Sequence, residues 1–354
     1  MHLIQLGFGG VGRALVRQIL GRREYLARRY GFMLSLRAIA DSSAVLADSD
    51  SLQVGAVEAA LEAKTAGLSL VALASGRLSS SWLDCLPATP CIVVDLTAAD
   101  GQAPALIQAL QAGHRVVLAN KRPLCGAMTE FAALTAAGVT RYEATVGAGL
   151  PVISTLQALL DSGDAVQRIE ACVSGTLGFI ASELDAGRPL SAAVRRAYEL
   201  GYTEPDPRDD LSGADVARKA LILARTCGWP CEFAQLAPEP LFPSALADLS
   251  REAFLDRLDE LDAPLADRVA GAQRRNEVLR YVALVEPAGV QVALRSLPRD
   301  HPLAALRGPD NLFSITSDRY HAQPLIVRGP GAGQAVTAAG VLADIVATAR
   351  ELGG

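Results

Sequence analysis

The chain opens on a short apolar run, HLIQL, followed at once by Gly7-Phe8-Gly9-Gly10-Val11-Gly12, and then by Leu15, Ile19 and Leu20 at helical spacing from Val11. A strand that runs into G-x-G-x-x-G and continues as a helix constrains the fold more than any other feature of this chain. Its glycines let the turn tighten and the backbone approach a pyrophosphate. The helix start offers unpaired N–H groups and the positive end of a dipole. The expected ligand is a dinucleotide held at Gly7, Gly9, Gly10, Val11 and Gly12; a plain tight strand-to-helix turn is the alternative.

The next strand, MLSLRAIAD, ends on Asp41, 29 residues beyond Gly12, later than the usual ~20. An acid there accepts hydrogen bonds from an adenosine ribose and favours NAD, because it repels the extra phosphate of NADP. Arg13 and Arg37 can offset that repulsion, and Asp41 can equally cap the turn Asp-Ser-Ser. There follow a helix over 50–66, the strand CIVVDLTA, a helix over 103–112, the strand HRVVLAN, a helix over 128–137 and the strand TRYEATV. Such alternation predicts an α/β, Rossmann-type parallel sheet over 1–146, with right-handed crossovers and ligands beyond the carboxyl ends of the strands. Two strand ends lie there, Asp95-Leu96-Thr97 and Asn120-Lys121-Arg122-Pro123. Thr97 and Lys121 are therefore cofactor candidates, with a solvated loop lysine as the plainer reading of Lys121.

From Gly147 the rhythm changes. A helix over 150–160, the strand RIEACVSG, two helical stretches and an antiparallel pair, EVLRYVALVE and VQVALRSL, predict a second, α+β domain over 147–330. Gly329-Pro330-Gly331-Ala332-Gly333 then leads into an apolar-periodic helix over 336–352. Residues 331–354 can return to the first domain, bringing Gly331, Gly333 and another helix N-terminus near the cofactor. A glycine-rich turn before a packing helix is the alternative.

A formal net charge of −5 without a lysine-rich block argues against nucleic acid, which needs a concentrated basic face. The longest charge-free run, 144–160, contains Pro151 and polar residues, so no membrane span is expected. The first residues lack the features of a secretion signal, which predicts a cytoplasmic protein. Six cysteines without C-x-x-C read as buried thiols, and four scattered histidines present neither a zinc site nor a hydrolase triad.

Lysine occurs three times, at Lys64, Lys121 and Lys219, in a chain that otherwise uses arginine. Lys219 ends YTEPDPRDDLSGADVARK, which carries five carboxylates. Ser212 and Asp215 fit a capping box. Val216, Ala220, Leu223 and Cys227 form a core-facing stripe, with Lys219 at its border and Asp215 one turn away. An amine at the edge of a core can lose several pKa units from its reference of ~10.4, which suits it to proton transfer near neutral pH. Glu204 and Asp210 are candidates for a substrate ammonium group; Asp206 and Asp209 read as solvated.

Together GFGGVG, Asp95-Leu96-Thr97, Ala119-Asn120-Lys121, the run 143–151 (EATVGAGLP), Ser174-Gly175-Thr176-Leu177-Gly178, GYTEPDPRDDLSGADVARK and GPGAG before Val336-Thr337-Ala338 resemble homoserine dehydrogenase from end to end. The resemblance implies interconversion of L-homoserine and L-aspartate 4-semialdehyde with NAD or NADP, in threonine and methionine biosynthesis. It implies Lys219 as acid/base, Glu204, Asp210, Asp215 and Lys121 around the substrate, and Gly175, Thr176 and Tyr202 beside it. It further implies a sodium ion on the backbone carbonyls of Glu143, Val146, Ala148 and Leu150, and a homodimer formed through the second domain. Many relatives add a regulatory domain or a kinase; neither is expected here, which leaves threonine feedback an open question. A related dehydrogenase for another amino-acid aldehyde is the alternative, and a non-catalytic nucleotide sensor is disfavoured by Lys219.

Overall fold

In the computed structural model, residues 1–73, 77–79 and 81–353 are described, and the chain divides into two compact units, Met1–Gly149 with Gly333–Gly354, and Leu150–Ala332. The first unit runs β1 (His2–Leu6), α1 (Gly10–Tyr30), β2 (Ser35–Ala40), β3 (Val45–Ala47), α2 (Val54–Thr65), β4 (Arg77–Ser79), β5 (Ile92–Asp95), α3 (Ala103–Gln111), β6 (Arg115–Leu118), α4 (Met128–Thr135), β7 (Thr140–Arg141) and α5 (Ala144–Gly147). Its sheet has the order β4-β3-β2-β1-β5-β6-β7. From β2 to β7 the neighbours pair in parallel. The central strands are buried along their length, as strands covered on both faces must be, and this is why they read as unbroken apolar runs.

The edge departs from the expected all-parallel sheet. β3 pairs antiparallel with β2, and β4 with β3. Only four residues separate β2 from β3, too few for the crossover that a parallel neighbour needs. A second departure lies at 140–146, expected as one strand. Only Thr140–Arg141 pairs with β6; Thr145 then turns its N–H and hydroxyl onto the Tyr142 carbonyl, and Glu143 N–H donates to Asp344. With its donors committed to these partners, the segment closes into the helical turn α5.

The C-terminal helix (Gln334–Leu352) belongs to this first unit. Its Ala338, Val341, Leu342, Ile345 and Ala349 share one core with Leu15, Val16 and Ile19 of α1, matching the apolar period read from the sequence.

The second unit contains α6 (Ile153–Asp161), β8 (Val166–Cys172), α7 (Gly175–Asp185), α8 (Leu190–Glu199), α9 (Pro207–Leu211), α10 (Ala214–Thr226), α11 (Arg251–Asp256), α12 (Asp262–Arg274) and strands β9 (Glu277–Glu286), β10 (Gly289–Pro298), β11 (Asp310–Ser317) and β12 (Leu325–Pro330). The sheet is antiparallel in the order β10-β9-β8-β11-β12. The β9–β10 hairpin is the expected pair; β11 and β12 were not legible. Pro151 delays α6 to Ile153, since a residue before proline avoids the helical region. Ser212 and Asp215 form no capping box. Gly213, at φ 70°, is the N-cap of α10, while the Ser212 hydroxyl donates to the Asp209 carbonyl and accepts from Ala214 N–H. Among the described residues, no helix is long and apolar enough to cross a membrane.

Candidate active site

In the first unit the glycine loop has a specific steric reason at each position. Gly7 sits at φ 91°, and a Cβ there would stand 2.8 Å from the Leu96 carbonyl. A Cβ on Gly12 would come within 2.2 Å of the Gly7 carbonyl oxygen. Around Gly9 a Cβ would meet nothing within 4 Å among the described residues. Helix α1, with Val11 in its first turn, has neither a side-chain cap nor an acid there, so its N–H groups and dipole remain available to an anion. These residues fit a dinucleotide pyrophosphate. Gly10 faces the side chain of Gln334, 2.3 Å from where its Cβ would be, and Gln18 donates to the Ala335 carbonyl. The start of the C-terminal helix, entered through Gly333 at φ 115°, thus lies against the glycine loop. Gly331 ends the second unit instead, and a Cβ on it would stand 1.9 Å from Cγ of Asn311, which is a packing reason for glycine.

Asp41 takes the turn-capping role. Its Oδ1 accepts from Ser43 N–H at 2.8 Å, the Ser43 hydroxyl at 2.6 Å and Ala44 N–H at 3.1 Å. Its Oδ2 accepts from Lys64 Nζ at 2.8 Å and Leu70 N–H at 3.0 Å. Burial alone would raise the pKa of this carboxyl, but the bonds from Lys64, Ser43 and Leu70 outweigh it and hold the group below the usual carboxylate range. With both oxygens engaged, a side chain 6% exposed and a lysine paired to it, Asp41 offers no free carboxylate to set an NAD preference. No local pattern links Asp41 to Lys64, which lies 23 residues away.

At the carboxyl ends of β5 and β6, Asp95 is fully buried. It accepts from Thr97 N–H at 2.9 Å and Asn120 Nδ2 at 3.0 Å, and Asn120 also donates to the Thr97 hydroxyl and the Ala99 carbonyl. Burial raises the Asp95 pKa against these bonds. The pair ties together the two turns that carry Thr97 and Lys121.

In the second unit, the end of β8, the start of α7, the 202–210 segment and α10 converge. Lys219 Nζ donates to the Val173 carbonyl at 2.6 Å and pairs with Asp215 at 2.9 Å; its side chain is 12% exposed. Thr176, just inside α7 after Gly175, places its hydroxyl 2.8 Å from Asp210 Oδ1 and 2.6 Å from the Tyr202 carbonyl. Glu204 N–H donates to Asp210 Oδ2 at 2.8 Å, and the Tyr202 ring meets Phe179 edge-on. Burial raises the Asp210 pKa, and the charges of Glu204 and Asp215 add to that. An amine, three carboxylates and a hydroxyl from separated stretches of sequence thus form one cluster. The family model described as homoserine dehydrogenase matches residues 151–346, more than half of the chain and all of this cluster. The chain belongs to the homoserine dehydrogenase family.

The model of the homoserine dehydrogenase NAD binding domain matches residues 7–143. Homoserine dehydrogenase of Saccharomyces cerevisiae is 36% identical over 365 residues, covering 99% of each protein. The chloroplastic bifunctional aspartokinase/homoserine dehydrogenase 2 of Zea mays is 45% identical over 270 residues, covering 74% of this chain and 29% of that protein. The chain therefore spans less than a third of the length of that plant relative. A hyperthermophilic archaeal homoserine dehydrogenase mutant, solved in complex with NADPH, superposes with a TM-score of 0.75 at 26% identity, covering 99% of this chain and 98% of that one.

No group of three or more His, Cys, Asp or Glu side chains that could hold a metal is found among the described residues. Of the four carbonyls expected to bind sodium in this homoserine dehydrogenase-family chain, that of Glu143 also accepts from Val146 N–H, and that of Leu150 from Val152 N–H. Ala148 is held at φ 56°, one of two non-glycine residues with positive φ among those described. Carbonyl oxygens suit a hard cation, and a non-glycine residue in that region persists only where its surroundings enforce it.

Proposed function

We propose that the protein interconverts L-homoserine and L-aspartate 4-semialdehyde by hydride exchange with NAD(P), with Lys219 as acid and base. The placement of Lys219 carries this reading. An ammonium has three N–H donors; the Val173 carbonyl takes one, and the ion pair with Asp215 helps to fix Nζ in position, which leaves donor capacity for a substrate oxygen. In the reductive direction Lys219 gives its proton to the aldehyde oxygen as it becomes a hydroxyl; in the oxidative direction it takes the hydroxyl proton. The bound nicotinamide supplies or receives the hydride.

Glu204 and Asp210 are the acceptors for the substrate ammonium. Gly175, Thr176 and Tyr202 border the same cluster, and Thr176 holds Asp210 in orientation. Asp215 steadies Lys219, and Lys121 contributes a further positive charge. The glycine loop with Thr97 binds the nucleotide, whose pyrophosphate suits the uncapped start of α1. Sodium on the carbonyls of Glu143, Val146, Ala148 and Leu150, and a homodimer formed through the second unit, complete the proposal. Nicotinamide absorbance with L-homoserine and either cofactor, with and without sodium, tests it. Turnover confined to another amino-acid alcohol would assign a related dehydrogenase, and nucleotide binding without turnover would assign a sensor.

A further inference from the structure

Gln5 is a glutamine at the centre of the first unit's sheet, fully buried, between Ile39 of β2 and Val94 of β5. Ile39 and Val94 on either side of it, and Val117 beyond Val94, are apolar, and strand period places it on the same face as Leu3, whose core α1 covers. Its Nε2 donates to the carbonyls of Gly7 at 3.1 Å and Gly12 at 3.2 Å, the first and last glycines of the loop. The amide orientation follows from these partners, since the flipped form would set Oε1 against two carbonyl oxygens. Gly12 has no side chain in the way: a Cβ there would lie 2.7 Å from Gln5 Nε2. The other end of the amide is costly, because Oε1 is buried with no hydrogen-bond partner among the described residues.

A buried acceptor left unpaired costs stability, so Gln5 is a poor choice for the fold alone. We propose that Gln5 is a positioning residue for the phosphate loop: its bond to the Gly7 carbonyl keeps that oxygen off the face that receives the pyrophosphate and leaves the face to N–H groups, while its bond to the Gly12 carbonyl, which α1 already directs along the helix axis, fixes where the amide sits. The Gly7 N–H is itself turned inward, donating to the Ala40 carbonyl at 2.9 Å, so the open face falls to the Gly9 region and the first turn of α1. Carbonyls turned toward a dinucleotide would repel its phosphates, whereas amide N–H groups attract them. This inference rests on the reading of the first unit as an NAD(P) site.

The test is the pair Gln5→Leu and Gln5→Met, which fill the space without donors. NADPH affinity is read from quenching of protein fluorescence or from titration calorimetry, beside thermal melts without ligand and turnover at saturating NADPH. Restoring a loop no longer held by Gln5 costs on the order of 1 kcal/mol on binding, which predicts a Kd raised about fivefold or more. Turnover at saturating NADPH and the KM for L-homoserine should stay within about twofold, and the melting temperature should move little, because the loss of the unpaired Oε1 is offset by the Gly7 carbonyl losing its Nε2 donor. Gln5→Glu should bind worst, since a carboxylate faces both loop carbonyls. An unchanged Kd, or a lowered melting temperature with an unchanged Kd, overturns the proposal, as does failure of both the leucine and methionine variants to fold. Wild-type protein that binds neither NADPH nor NADH would instead overturn the functional reading beneath it.

Discussion

Lys219 is where the choice of residue matters most, because the chain uses arginine for nearly every other cation. A guanidinium stays protonated across the working pH range, and its planar fork cannot repeat an Nζ held 2.6 Å from the Val173 carbonyl. Lys219→Arg is therefore expected to keep the fold and nicotinamide binding while turnover falls by roughly 10²–10⁴-fold, the scale of a positioned acid or base; turnover within a few fold of wild type would show that charge alone suffices. Asp210 offers a test through pH. Burial, then its acidic neighbours, raises its folded pKa above an unfolded value of ~3.9, so the fold disfavours the ionised form. Stability is then lost as pH rises from that unfolded value through the raised one. Asparagine can be accommodated, since the Thr176 hydroxyl can donate to the Tyr202 carbonyl and accept from the new amide. Asp210→Asn should melt higher than wild type at pH 7, with the gap closing toward pH 4, and should raise the KM for homoserine; a gap independent of pH would assign the effect to packing. At Asp41 the paired Lys64 offsets the carboxylate, so kcat/KM with NADPH and NADH should agree within about tenfold, a difference of ~1.4 kcal/mol. A larger preference for NADH would return the ribose role to Asp41.

Among the elements, the C-terminal helix makes a backbone-to-backbone contact that can be tested. A Cβ on Gly340 would stand 2.4 Å from the Ala148 carbonyl and 3.0 Å from Gly149 Cα, so backbone meets backbone with no side chain between. In an unconstrained helix, alanine for glycine gains ~1 kcal/mol. Here the overlap should reverse the sign, and Gly340→Ala is expected to cost ~1–3 kcal/mol in denaturant unfolding; a gain would mean that the helix does not approach the 148–149 turn. The helix itself was legible from its apolar period. Its docking was not, because period reports which face is buried and not what covers it. The same limit explains α5: TRYEATV has the β-branched and aromatic content of a strand, but Asp344, 201 residues away, takes the Glu143 N–H.

For the whole molecule, the second unit leaves strand β12 at the edge of its sheet with Ile326 41% exposed. An exposed edge carrying apolar side chains is a ready surface for pairing. Sedimentation equilibrium is expected to give twice the chain mass of 37.0 kDa, and a single-chain mass at micromolar concentration would remove the dimer from the proposal. The sequence by itself determined the nucleotide loop, the alternation that builds a parallel sheet, the β9–β10 hairpin and the pairing of Asp215 with Lys219 one helical turn apart. These depend on neighbours a few residues away, where helix and strand geometry fix who meets whom. The tertiary structure alone decided that Lys64 neutralises Asp41, that the Val173 carbonyl anchors Lys219, that Gln5 reaches both ends of the glycine loop and that β11 and β12 join the second sheet. Each of these depends on where remote segments, or a buried side chain, come to rest, and hydrogen-bond partners chosen by such placement leave no periodic trace along the chain.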